Sequence, residues 1–190
     1  MKTTLPTQLA VDLPEWAITM ARDWPSCVTD DDRMALVIAL SRENVARSAG
    51  GPFGAAVFDD GSGALVAIGV NSVQRLSNCA LHAEVTALMF GLHAVGTHSF
   101  AHVPGTSYLL VTSCDPCAMC LGALLWSGVR RVVCGATRDD AMAIGFDEGP
   151  VFPESMTYLA ARGIVFTHGL RRAEARAVLE QFVSSGGPLY

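Results

Sequence analysis

The chain has 190 residues, of which 51% are apolar and 16% charged, and its formal charge at pH 7 is −5. The apolar share excludes intrinsic disorder, and the length suits one α/β domain with a core of its own. A net negative chain lacks the electrostatic footprint that long nucleic acid requires, and no unbroken apolar run reaches membrane-spanning length.

Residues 1–30 carry Pro6, Pro14 and Pro25 together with Trp16 and Trp24. This pattern predicts an N-terminal extension with one short helix held to the domain surface by its indoles. The opening residues lack the basic and apolar regions of a secretory leader, which points to a cytoplasmic protein. Residues 31–190 form the main domain. Thr29 and the acids Asp30, Asp31 and Asp32 suit a helix start, and apolar residues recur at helical spacing from Met34 towards Gly50-Gly51. Phe53–Phe58 and Ala64–Val70, joined by a Gly-rich turn, read as an antiparallel hairpin. A helix over Ala83–Val95 ends at Gly96, and a buried strand follows at Tyr108–Val111. Pro116 opens a second such helix, Cys117–Trp126, which Ser127-Gly128 closes. Strands at Arg130–Gly135 and Gly163–Phe166, with one helix allowed between them, lead to a closing helix over Ala173–Val183. The order implies a mixed five-stranded sheet between helices.

Six cysteines permit three disulfides on arithmetic alone. Their placement argues for reduced thiols: Cys114, Cys117 and Cys120 crowd together, while Cys27, Cys79 and Cys134 stand singly. Residues three apart on a helix share a face, so Cys117 and Cys120 can aim both sulfurs at one metal ion. A helix N-terminus favours thiolate over thiol. With His82 they make three ligands, and a tetrahedral zinc then keeps its fourth position for water, the mark of a catalytic site. Glu84, two residues beyond His82, stands where a proton shuttle is needed without being a ligand. One zinc per chain is therefore expected. An iron–sulfur reading of Cys114, Cys117 and Cys120 fails for want of a fourth cysteine at short spacing, which leaves Cys114 as a packing residue. His93, His98, His102 and His168 lack ligand spacing and receive no role.

His82-Ala83-Glu84 with Pro116-Cys117-Ala118-Met119-Cys120 completes the H-x-E…P-C-x-x-C signature of zinc nucleobase deaminases. On these residues the chain resembles the cytidine-deaminase-like superfamily over roughly residues 30–190. Within it the sequence is most similar to bacterial guanine deaminases through Gly51–Val57, Asn71 and Ile144–Pro150. The resemblance implies a three-layer α/β/α fold with a mixed five-stranded sheet. It implies Phe53 packing on a base, Asn71 bonding its edge, Ala83 among the base-contacting residues, and Glu148 holding the amine and assisting proton transfer. Asp147 is an equal candidate to Glu148 by chemistry alone. Asp115 departs from the glutamate that many relatives carry before the proline. The resemblance also implies a homodimer, with a domain swap through a C-terminal segment in which Tyr190 is the one aromatic able to close a partner's pocket.

The reaction implied is hydrolytic deamination of guanine to xanthine and ammonia. Other readings are a different small aminated ring (cytosine, azacytosine or another aminotriazine), guanosine, tRNA adenosine, or a structural zinc module without activity. A tRNA substrate calls for a basic surface that this chain lacks, and Glu84 beside the metal argues against a purely structural site.

Overall fold

The structure is a computed structural model and describes residues 5–189. Twelve elements follow in chain order: α1 (Glu15–Asp23), α2 (Asp30–Ala46), β1 (Gly54–Asp59), β2 (Leu65–Val70), α3 (Ala83–Ala94), β3 (Tyr108–Cys114), α4 (Ala118–Ser127), β4 (Arg131–Ala136), α5 (Arg138–Ala143), α6 (Pro153–Ala161), β5 (Val165–Thr167) and α7 (Arg172–Ser184). The strands form one mixed sheet in the order β2-β1-β3-β4-β5. β1 runs antiparallel to both β2 and β3, whereas β3, β4 and β5 are parallel.

Alternation along the strands feeds two cores, as the pleat requires. Ala56, Phe58, Leu109, Val111 and Val133 face the layer of α2 and α7, and Ala55, Val57, Leu110 and Val132 face the layer of α3 and α4. This is the expected three-layer α/β/α arrangement. α2 begins where the acids predicted: Thr29 is the N-cap in a reciprocal capping box with Asp32. The helix stops at Ala46, short of the glycines, because Asn44 turns inward and its side-chain amide donates to the carbonyls of Gly51 and Asn71. Phe53 lies before β1 in a turn, its N–H donating to Gly51 at 2.8 Å. Two helices, α5 and α6, stand where the sequence suggested one. Gly145, at φ 103°, ends α5, and Pro153 occupies the first turn of α6.

Trp16, Met20 and Trp24 pack against the α2/α7 core, Ala17 of α1 is fully buried, and Arg47 lies over the Trp16 ring at 5.6 Å. The short helix held by indoles is thus present. No helix among the described residues is long and apolar enough to cross a membrane.

α5 is held by a second capping box, Thr137 with Asp140, and both Asp140 oxygens also accept from Arg172 at 2.8 and 2.9 Å. The Arg172 guanidinium, opposed by burial and helped by Thr137, holds the Asp140 carboxyl well below the usual carboxylate range. The folded value lies below the ordinary carboxylate value, so this contribution is complete above about pH 4 and is lost progressively as the pH falls through the folded value. Asp140→Asn is expected to cost about 2 kcal/mol at pH 7, since asparagine keeps an oxygen for the Thr137 cap but loses the charge-assisted pair with Arg172. Urea unfolding checks it: the gap between parent and variant should narrow between about pH 4 and pH 2.

Candidate metal centre and active site

The site forms where two helix N-termini meet above the sheet. His82 is the N-cap of α3 and Cys117 the N-cap of α4, with the motif's remaining members, Glu84 and Cys120, inside the first turns. α3 is pressed against the sheet at Gly69 of β2, where a Cβ would collide with the Ala83 carbonyl and the Ala87 amide. That close approach fixes the height of His82 and Glu84. α4 ends at Gly128, whose φ of 81° makes the left-handed C-cap that the sequence placed there.

His82 Nδ1 stands 3.5 Å from Cys117 Sγ and 3.6 Å from Cys120 Sγ. A zinc ion holding one nitrogen and two sulfurs tetrahedrally at its usual bond lengths separates N from S by about 3.6 Å, so both nitrogen–sulfur separations already match what the ion needs. Their electrostatics point the same way. Cys117 is pushed down to about 4, first by the hydrogen bond from Cys120 against the pull of burial, and then by His82. Cys120 is pushed up, first by donating to Cys117 and then by burial. Burial lowers His82, but the Cys117, Glu84 and Glu148 charges outweigh it and raise it. One imidazole, two sulfurs and two carboxylates crowd a site that a bound dication neutralises. The residues therefore fit zinc.

Glu84 is 6% exposed, and burial first, then the Cys117 charge, holds its carboxyl at about 7. Glu148 arrives from the loop after α5. Its carbonyl accepts the Ala118 N–H at 3.0 Å, one of the donors left open at the start of α4, and this contact seats the loop beside Cys117. Glu148 is 7% exposed, and burial followed by the Cys117 and Glu84 charges raises it to about 8 against the opposing pull of Arg138. Asp147 is exposed, and its Oδ1 accepts the Gly149 N–H at 2.9 Å in a turn. The two neighbouring acids thus differ sharply in surroundings.

Phe53, His82, Glu84, Asp115, Cys117, Phe146, Asp147 and Glu148 line one cavity. Phe53 meets Phe146 edge-on with centroids 5.0 Å apart, and Phe146 stacks on Phe182. Sequence reasoning passed over Phe146, since a phenylalanine in a Gly-rich loop carries no periodic signal. Asn71 is 1% exposed. Its Oδ1 accepts the N–H groups of Gly51 and Val73, the turn-capping role open to it from sequence, while its Nδ2 is buried without a partner among the described residues. Ala83 is fully buried with its side chain in the α3/α4 core, which leaves only its backbone for a ligand. All six cysteines are free, and Cys114 is a buried strand-end residue as expected. His168, given no role from sequence, lies 2.7 Å from Asp115.

A mixed sheet carrying a histidine and two cysteines with the spacing for zinc on two helix N-termini, and a carboxylate at their side, is the arrangement of a metal-dependent deaminase. Residues 28–136 match the cytidine and deoxycytidylate deaminase zinc-binding region, and the chain belongs to this family as a zinc-dependent nucleobase deaminase. Guanine deaminase of Bacillus subtilis is 37% identical over 117 residues, 62% of this chain and 70% of that protein. The solved guanine deaminase of Nitrosomonas europaea is 40% identical, with a TM-score of 0.89 over 96% of this chain and 100% of the other. A mutant of NE0047 in complex with 8-azaguanine matches at 40% identity, with a TM-score of 0.89 and the same coverage.

Proposed function

We propose that this chain deaminates guanine, with water, to xanthine and ammonia. The observation that carries the reading is that two buried carboxylates, Glu84 and Glu148, face one cavity beside the His82, Cys117 and Cys120 trio. The guanine deaminases among its relatives support the choice of ring. Zinc, when bound by His82, Cys117 and Cys120, supplies the Lewis acidity that brings a water proton within reach of a base near neutral pH. Glu84 takes that proton and delivers it to the ring nitrogen beside the amine-bearing carbon. Glu148 accepts hydrogen bonds from the ring N–H and the amino group along one edge of guanine, and relays to the departing amine the second proton of the attacking water, released as the new C–O bond becomes a carbonyl and the C–N bond breaks. The unpartnered Asn71 Nδ2 donates to an acceptor on the ring, Phe53 packs on its face, and the Ala83 backbone completes the contacts. Residues 31–190 constitute the deaminase domain and residues 1–30 its extension.

An ammonia-release screen against guanine, guanosine, cytosine, cytidine, adenine and small aminotriazines tests the substrate. Guanine is expected to give the highest kcat/KM. A higher value for any other ring, with guanine inert, overturns the assignment. Elemental analysis should find one tightly held zinc per chain, lost together with activity in Cys120→Ser; a folded, active protein without metal would end the proposal.

The chain is further read as a homodimer in the cytoplasm. Met119 and Trp126 are 38% and 76% exposed on α4, and Met89 is 44% exposed on α3, which packs against α4. Helices with such faces normally find a partner. Light scattering at micromolar concentration should return twice the chain mass, and a monomer refutes it. As for a C-terminal swap, Pro188 accepts from Gln74 of the same chain at 3.5 Å, and Leu189 lies against Gly145. The tail thus reaches the rim of the site, and Tyr190 lies outside the described residues.

A further inference from the structure

Asp115 belongs to two groupings at once. One face of it lines the cavity already described, and on the other it meets Cys134 and His168, so that the ligand atoms of the three lie within 4.8 Å of one another. The parallel register brings them together. Val133 of β4 pairs with Thr167 of β5, which places Cys134 beside His168, and Cys114 pairs with Ala136, which places Asp115 at the same end of the sheet. The Asp115 N–H donates to the Ala136 carbonyl at 2.9 Å and fixes the turn.

Each donor is also oriented. Asp115 Oδ2 accepts the Arg138 backbone N–H at 3.2 Å, which leaves Oδ1 to face His168 Nδ1 at 2.7 Å. The His168 ring stacks on Phe166 with planes 11° apart. Cys134 is wholly buried, whereas the His168 side chain is 44% exposed and opens the group to solvent. An aspartate–histidine pair alone accounts for two of these residues. The Cys134 thiol, held protonated in the metal-free chain by burial and then by the charge and hydrogen bond of Asp115, is set against the same carboxylate, and sulfur, nitrogen and oxygen converging from three separate segments is the composition of a borderline-soft metal site.

We propose that Asp115, Cys134 and His168 form a second divalent-metal site, suited to zinc or cobalt(II), filled from solvent in a protein whose first site already holds zinc. On binding, the Cys134 S–H bond breaks, its proton leaves to solvent, and the sulfur electron pair goes to the metal; no electron transfer is involved. The metal replaces the hydrogen bond between Asp115 and His168. A tetrahedral N–O edge is about 3.3 Å, so the pair opens by well under an ångström, and solvent takes the fourth position on the His168 side. Magnesium and calcium are excluded by the thiol and imidazole. A metal here ties the residues feeding Cys117 to β4 and to the end of β5, and stabilises the folded chain by mass action.

The test titrates zinc-loaded protein with cobalt(II), following thiolate-to-cobalt charge-transfer absorption and the retained zinc. The expected result is one further equivalent per chain with a thiolate band, no loss of the first zinc, and a concentration-dependent rise in Tm. Cys134→Ser and His168→Ala should each weaken that second binding by at least about tenfold while the first zinc stays at one per chain. His168→Ala alters an exposed side chain, so it reports even if the buried Cys134→Ser variant folds poorly. Absence of a thiolate band, a band that appears only as the first zinc is lost, or a band unchanged in His168→Ala would overturn the proposal.

Discussion

Glu84→Gln is expected to lower kcat by about 10²–10⁴-fold while zinc content and Tm stay at the parental level. Glutamine fills the same volume in a position that is 6% exposed, so packing at the start of α3 is preserved. What disappears is the ability to hold a proton between two transfers. In the chain without metal, burial and the Cys117 charge keep this carboxyl at about 7. A bound cation adds an attraction that favours the carboxylate, so the group serves as a base at neutral pH and still returns the proton readily. The loss should fall on kcat more than on KM, because the transfers occur in the transition state and the edge contacts to the ring come from other residues. Steady-state kinetics with parallel zinc analysis decides the matter. A variant that keeps tens of per cent of parental kcat removes Glu84 from the mechanism, and one that loses zinc shows the residue supporting the metal instead.

The zinc trio and Glu84 were legible in the sequence for a local reason. Each half of the motif lies within one helix turn, so residue spacing alone determines which side chains share a direction. Only the pairing of His82 with Cys117, 35 residues apart, required the fold, and the recognised signature supplied it. The sheet was legible in the same way, since its strands are short apolar runs that each start within three residues of a glycine. What failed to show was long-range. α5 and α6 follow each other through a loop whose Gly145 and Pro153 act as stop and start, but a six-residue helix offers no period to detect. Phe146 becomes a cavity wall only because α5 ends where it does. Asp115, Cys134 and His168 meet through the registers of β3, β4 and β5, and parallel strands joined by helices place no constraint on sequence spacing that reading along the chain can use. The choice between Asp147 and Glu148 also lay beyond composition. The difference between them is burial, and the hydrogen bond from Ala118 to the Glu148 carbonyl is one contact that seats the loop.

Glu148→Gln is expected to lower kcat/KM by more than about tenfold, or more than roughly 1.4 kcal/mol of transition-state stabilisation, whereas Asp147→Asn should change it by only a few-fold. Glu148 is 7% exposed inside the cavity, and a carboxylate there accepts two hydrogen bonds from adjacent N–H groups of a purine edge. Glutamine presents one acceptor and one donor on the same frame. The donor then faces a ring N–H or amino group, leaving two donors opposed in a desolvated site, which costs more than the simple loss of a bond. In the chain without metal the carboxyl is also held up at about 8 by burial and by the Cys117 and Glu84 charges, which suits it to take up a proton released in the reaction and relay it to the leaving amine. Glutamine cannot supply that proton. Asp147 makes a different contribution, accepting the Gly149 N–H from a solvent-exposed position, and asparagine retains a side-chain oxygen for that bond. Guanine kinetics on both variants, with zinc measured in each, separates the two acids. If Asp147→Asn loses far more than Glu148→Gln, the loop presents its other carboxylate to the ring when substrate is bound, and the second proton donor is Asp147.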